Sequence, residues 1–347
     1  MRWDMGRPAP DMKLRNSLDL RFKRLGWQVR AVRKGRELTR VVDRTATIKP
    51  GALLSFSTVR NEAQRMPYFF QYYRDLGIDH FFFADNDSDD GTREYLAEQP
   101  DASVWTTKAS YKRSKFGIDW LNYLKTRYAD GHWVLVVEVA EYLVYPYCDT
   151  RPLRALTDWL DANNRRSMAA MLLDMYSRHP IEDNVYTAGD DPFETLNYYD
   201  SGNYVFDPNW AYGNLWIQGG PRQRVFFADR PDHGPALNKI PLIRWKRGQV
   251  YISSTHTILP RGLNRVYDQW GGELTSGVLL HAKFLATFAD KAAEELKRGQ
   301  HYAASREYKA YEARLKEAQG LWTPNSTPYR GWRQLDDLGL ISTGGWL

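Results

Sequence analysis

Acidic and amide side chains cluster in this 347-residue sequence where runs of apolar residues break off. Glu138 and Glu141 end the run WVLVV within residues 133–146, WVLVVEVAEYLVYP. Arg60-Asn61-Glu62 follow ALLSFSTV, and Asp85-Asn86-Asp87-Ser88-Asp89-Asp90 follow HFFFA. Asp174 ends MAAMLL, and His281 ends GVLL. Unbroken β-branched runs read as strands buried on both faces. The ends of parallel strands meet at one edge, where open α/β sheets keep their ligands. Carboxylates and amides there can grip a nucleoside: one Asp accepts an imide N–H of a uracil-like base, and another holds ribose hydroxyls. Arg60, Asn61, Glu62, Asp85, Asn86 and Ser88 are the candidates, with Ser88 or Asp90 also placed to cap a helix opening at Thr92. Arg222, Arg224 and Lys239 can steady phosphates or an anionic acceptor, although alternating arginines on an exposed strand have no such need. A calcium loop starting at Asp85 is excluded, because its sixth and twelfth positions are Asp90 and Leu96 instead of Gly and Glu.

The elements that would position these groups alternate regularly. Residues 52–59, 80–86 and 102–108 read as strands. Apolar spacing over 63–76 and 114–129 predicts helices, the first stopped by Gly77. Residues 151–162 predict a further helix, and 168–177 a buried strand. Such alternation implies a doubly wound, mostly parallel sheet. The stretch 177–208 is polar and irregular, as a functional loop or lid would be. Residues 219–227 are expected to turn into a strand, with more strands near 240–245 and 250–254. Residues 277–288 are expected to return to the core, and 289–317 to form a charged helix. Three regions result: a basic arm over 1–50, a main domain over 51–288, and a C-terminal helix and tail over 289–347.

The charge is uneven. Residues 1–50 hold 14 Lys/Arg against 5 Asp/Glu, a balance of +9, which leaves −3 of the total +6 for the rest. The arm suits either a solvated helix packed on the main domain or a contact of residues 1–45 with an anionic membrane. The body is slightly acidic, so nucleic acid is not an expected partner. The single cysteine, Cys148, excludes an internal disulfide and suits a reducing compartment. Residues 1–10 carry charge and two prolines, so no secretory leader is read there, and a cytoplasmic location is expected.

The string NEA…YFFQYYRDLGIDHFFFADNDSDDGTREYL, followed by a strand ending in acids, resembles family 2-type glycosyltransferases of the GT-A fold. Within them it is similar to the subgroup with an N-E-A opening and a D-N-x-S-x-D-G-T loop. LLDMYS, the GG-x-R-x-R-x-F segment and the run ending in His281-Ala282-Lys283-Phe284 add to the likeness, which covers roughly residues 52–315. The resemblance implies inverting transfer of a sugar from a UDP, GDP or dTDP donor to a hydroxyl of a glycan or lipid-linked acceptor. It also implies Mg²⁺ or Mn²⁺ on an Asp-x-Asp motif, which neutralises the departing diphosphate. Here that motif reads Glu138-Val139-Ala140-Glu141. Glu138, Glu141 and His281 are thus the expected metal ligands. Lys115 and Asn122 are placed near the diphosphate, and Asp174 is the expected base, with Glu141 and Asp200 as rivals.

Alanine cannot hold a cation, and three outcomes stay open: a weakened metal site, a metal-free site in which Lys or Arg takes the charge, or a catalytically inert sugar-nucleotide or glycan-binding protein. His256, in SSTHT, is a lesser candidate. No G-x-G-x-x-G, Walker loop, Cys/His zinc set or nucleophile elbow occurs.

Overall fold

Apolar side chains on both faces of a strand require cover on both sides, and the chain provides it. Strands β2 (Leu53–Val59), β3 (His80–Asp85) and β5 (Trp133–Val136) send alternate residues into two cores. Leu53, Phe81, Phe83 and Leu135 join one core; Leu54, Phe56, Phe82 and Val134 join the other. The computed structural model of the chain describes residues 14–268, 270–298 and 320–346. The rest of the charged helix predicted over 289–317, beyond Arg298, falls outside these residues.

The remaining strands of the main sheet are β1 (Thr39–Val42), β4 (Ala102–Thr106), β6 (Glu141–Val144), β7 (Ser167–Asp174), β11 (Asn238–Arg244) and β14 (Ser276–His281). Their order is β1-β4-β3-β2-β5-β11-β7-β14-β6. β2, β3, β4, β5, β7 and β14 run one way, while β1, β6 and β11 run against them. The sheet is therefore mixed, and mostly parallel as expected. From β2 the chain moves outward to β3 and β4, then returns to β5 on the other side. The gap between the ends of β2 and β5 is a topological switch point, where open α/β sheets bind ligands.

Helices α2 (Met66–Asp75), α3 (Thr92–Glu98), α4 (Ile118–Tyr128) and α5 (Leu153–Ala162) lie close to their predicted places. The loop 177–208 holds a short helix, α6 (Pro192–Thr195), and strand β8 (Tyr198–Tyr199), which pairs with β15 (Thr327–Pro328) of the tail. A hairpin, β9 (Tyr204–Asn209) and β10 (Asn214–Gly219), follows. Another is formed by β12 (Val250–Ser253) and β13 (Thr257–Leu259).

Two expectations fail. Residues 133–146 are two strands, because Val137–Ala140 turn away before β6 begins. The segment expected to enter a strand near 219–227 is helix α7 (Gly220–Phe226). Gly219 and Gly220 both have positive φ, and Pro221 opens the first turn. Residues 277–288 return to the core as expected: β14 ends at His281, and helix α8 (Phe288–Arg298) starts at buried Phe288. The basic arm forms helix α1 (Leu14–Gly35) and then β1, which pairs antiparallel with β4.

Candidate active site at the carboxyl edge of the sheet

The turn at residues 137–140 leads from β5 in mid-sheet to β6 at the far edge, so Glu138 and Glu141 are laid across the ends of β11, β7 and β14. The strap is pinned where the Ala282 N–H donates to the Ala140 carbonyl at 2.8 Å. Glu141, His281 and Asp174 occupy one register row across β6, β14 and β7. Because β11 runs against its neighbours, its first residues, Asn238 and Lys239, stand where the others end.

Lys239 Nζ lies 2.9 Å from Glu141 Oε1 and 3.6 Å from Glu138 Oε1. The Glu138 N–H donates to Glu141 Oε2 at 3.1 Å. Glu141 and Lys239 are buried, whereas Glu138 is exposed. Burial pushes the Glu141 carboxyl up, and Glu138 adds to this against the pull of Lys239. Burial would lower the Lys239 ammonium, but the two glutamates hold it above its ordinary value. The lysine thus stays charged between two acids.

Beside this group, Arg222 Nε donates to Asp174 Oδ2 at 2.6 Å, and His281 Nδ1 lies 2.7 Å from Asp174 Oδ1. Burial opposes ionisation of Asp174, yet Arg222 and His281 keep its pKa below the ordinary carboxylate range. Burial lowers His281 to about 4, so the ring is neutral near pH 7. With Nδ1–H held by Asp174, the lone pair belongs to Nε2, for which no hydrogen bond is found among the described residues. A carboxylate that orients an imidazole for proton transfer is the arrangement of an Asp–His dyad. Asp174 itself has both oxygens engaged, which suits it to orient a base better than to act as one.

Arg60, Asn61 and Glu62 do come together beyond β2, but they face α8. Arg60 Nε meets Glu294 Oε1 at 3.0 Å, Asn61 Nδ2 lies 3.2 Å from the same oxygen, and Lys291 Nζ is 2.5 Å from Glu62 Oε2. Burial would raise the Glu62 carboxyl, but Lys291 and Arg65 bring it below its usual range. Nothing in the sequence paired α8 with these loops; the only hint was Lys291 and Glu294 on one helical face three residues apart.

The acidic loop after β3 is tied mainly to itself and its neighbours. Asp85 is buried and accepts from Thr106 Oγ1 at 3.1 Å and from the Ser88 N–H at 3.3 Å. Asn86 Nδ2 donates to the carbonyls of Thr107 and Ala109, both at 3.0 Å. Ser88 Oγ accepts from the Asn61 N–H, and Asp90 takes the Thr92 and Ala63 N–H groups; the N-cap of α3 is Gly91, so neither Ser88 nor Asp90 caps the helix, although Asp90 satisfies its first N–H.

Asn122 exchanges two hydrogen bonds with the Tyr251 backbone and pins α4 to β12. Lys115 is exposed over the Trp27 ring of α1. Neither lies among the acids. Asp200 is held by Arg224 at 2.9 and 3.1 Å and by the Tyr176 hydroxyl at 2.5 Å. His256 is half-buried, its Nδ1 2.6 Å from the Asn238 carbonyl oxygen, and loss of solvent lowers it to about 3.

A cleft opens at the switch point, lined by Thr58, Phe116, Val137, Glu138, Glu141 and Thr255. Gly117, at φ 76°, lets α4 begin against its wall: a Cβ there would meet Thr58 Oγ1 at 2.3 Å. Thr58, Gly117 and Thr255 were not singled out from the sequence, since small residues at strand ends have no distinctive pattern.

The donor set does not fit a divalent ion. Lys239 occupies the space between the two glutamates, Asp174 is closed by Arg222 and His281, and Ala140 has no ligand atom. Among the described residues no three His, Cys, Asp or Glu side chains are grouped to hold a metal. The sequence matches no protein-family model and no curated protein.

Proposed function

We propose that the chain is a GT-A-type glycosyltransferase that moves a sugar from a nucleotide-sugar donor to an acceptor hydroxyl without a divalent metal, using Lys239 as its cation. The observation that carries this reading is Lys239 Nζ at 2.9 and 3.6 Å from Glu141 and Glu138, which follow the central strand β5 beside the switch-point cleft. The nucleoside lies across the mouth of the cleft, whose own volume of about 20 Å³ would have to widen to take it in, and its diphosphate lies toward Lys239. The acceptor O–H gives its proton to His281 Nε2 while oxygen bonds the anomeric carbon. The bond from that carbon to the phosphate oxygen breaks, and the nucleoside diphosphate leaves with the electron pair. Asp174 orients His281 and stabilises the imidazolium that forms. The diphosphate's own charge raises the His281 pKa from about 4 toward neutrality, so donor binding readies the base. The acceptor is a glycan or a lipid-linked sugar, as the sequence resemblance implies.

The test is calorimetric titration with UDP-, GDP- and dTDP-sugars, in EDTA and in Mn²⁺. One donor should bind equally in both, and Lys239→Met should weaken that binding at least tenfold, about 1.4 kcal/mol. No binding by any donor would remove the reading; binding only with Mn²⁺ would remove its metal-free part. The second reading, a binding protein without turnover, is favoured by α8, whose Lys291 and Glu294 already engage Glu62, Arg60 and Asn61. Donor hydrolysis measured beside binding separates the two.

A further inference from the structure

Helix α1 is covered on one side only. Ala31 and Gly35 are buried, and Gly35 packs so closely on Tyr123 that a Cβ would meet its ring at 2.4 Å. Arg30 reaches Asp119 of α4 at 2.8 Å. On the other side Leu18, Phe22, Leu25, Val29 and Val32 are all exposed, Phe22 to 72%. Their spacing alternates four and three, which at about 100° per residue keeps all five within an arc of about 80°. Folding has thus left a continuous apolar stripe in water, the kind of surface a partner covers.

Charge selects the partner. The described part of the helix carries six cations against one acid, Asp19; Lys23, Arg30 and Lys34 are paired with Asp19, Asp119 and Glu37, which leaves Arg21, Arg24 and Arg33 as its charge toward a partner. Arg21 and Arg33 fall on either side of the stripe. A second copy of the helix would bring two strongly positive faces together, without the opposite charges that flank a coiled-coil seam. A bilayer with anionic headgroups gives hydrocarbon to the stripe and phosphates to the arginines.

We infer that α1 docks the protein on an anionic lipid surface, with the stripe of Leu18, Phe22, Leu25, Val29 and Val32 against the bilayer. The inference stands whatever reaction the sheet edge performs. Flotation of the full chain with phosphatidylcholine vesicles, with and without phosphatidylglycerol, tests it. The protein should float with the anionic vesicles and stay behind with the neutral ones. Phe22→Ser with Leu25→Ser, and separately Arg21→Glu with Arg33→Glu, should each cut the bound fraction about tenfold. Melting and far-ultraviolet circular dichroism should be unchanged, since these side chains are exposed. Three results would overturn it: no flotation with anionic vesicles, flotation unaffected by the stripe variant, or a solution dimer that the stripe variant dissociates.

Discussion

Lys239 carries one charge on a flexible stem between Glu141 and Glu138, and its burial makes the pair costly to disturb. Breaking a buried ion pair from one side leaves an uncompensated charge, at a cost of about 3–5 kcal/mol. Glu141→Gln should therefore lower the unfolding free energy, by less than that because Glu138 stays 3.6 Å from the lysine. Adding Lys239→Met should restore a large part of it, because no charge is then stranded. Urea denaturation of the two single variants and the double variant measures the coupling; strict additivity would show that the pair does not act as a unit. Sequence alone placed Glu138, Glu141, Asp174 and His281 at strand ends, since an apolar run that stops at a polar residue is a local signal. It listed Lys239 only among cations that could touch phosphate. The lysine's position depends on β11 inserting antiparallel between β5 and β7, a long-range pairing that no local pattern encodes.

At the scale of elements, α8 faces the loops first assigned to the nucleoside. Glu294 holds Arg60 and Asn61, and Lys291 holds Glu62. If those loops contribute to donor binding, Glu294→Ala frees them. Nucleotide affinity should then rise several-fold by calorimetry, with little change in melting temperature because Glu294 is partly exposed. A loss of affinity would instead make Glu294 part of the pocket. Helices with a clear apolar face, α2 and α4, were legible from spacing, as were the buried strands. Residues 219–227 were not: GGPRQRVFF offers both a β-rich end and a glycine–proline start, and the tertiary setting chose the helix. The break between β5 and β6 was equally hidden, because Val137, Val139 and Ala140 look like strand and are buried or half-buried in a turn.

For the molecule as a whole, two buried histidines and the half-buried His256 set the response to acid. Burial lowers His80 and His281 to about 4 and His256 to about 3, from an ordinary 6.5. Below 6.5 the unfolded chain binds protons that the folded chain refuses, so their contribution is complete above 6.5 and is lost as pH falls toward 4. At about 1.4 kcal/mol per pKa unit each ring contributes a few kcal/mol. The melting temperature should be nearly flat above pH 7 and drop steeply between pH 6.5 and 4, as followed by scanning calorimetry. A flat profile across that range would mean the rings are not buried as described. The pairing of β1 with β4 has a consequence of another kind. Without β1, the row of backbone N–H and C=O groups on Val104, Trp105 and Thr106 would be the raw edge of the eight strands that remain. Such an edge is a template for any other extended chain. The basic arm therefore guards against self-association as well as carrying α1, and cutting it away would turn the protein toward aggregation before it said anything about lipid.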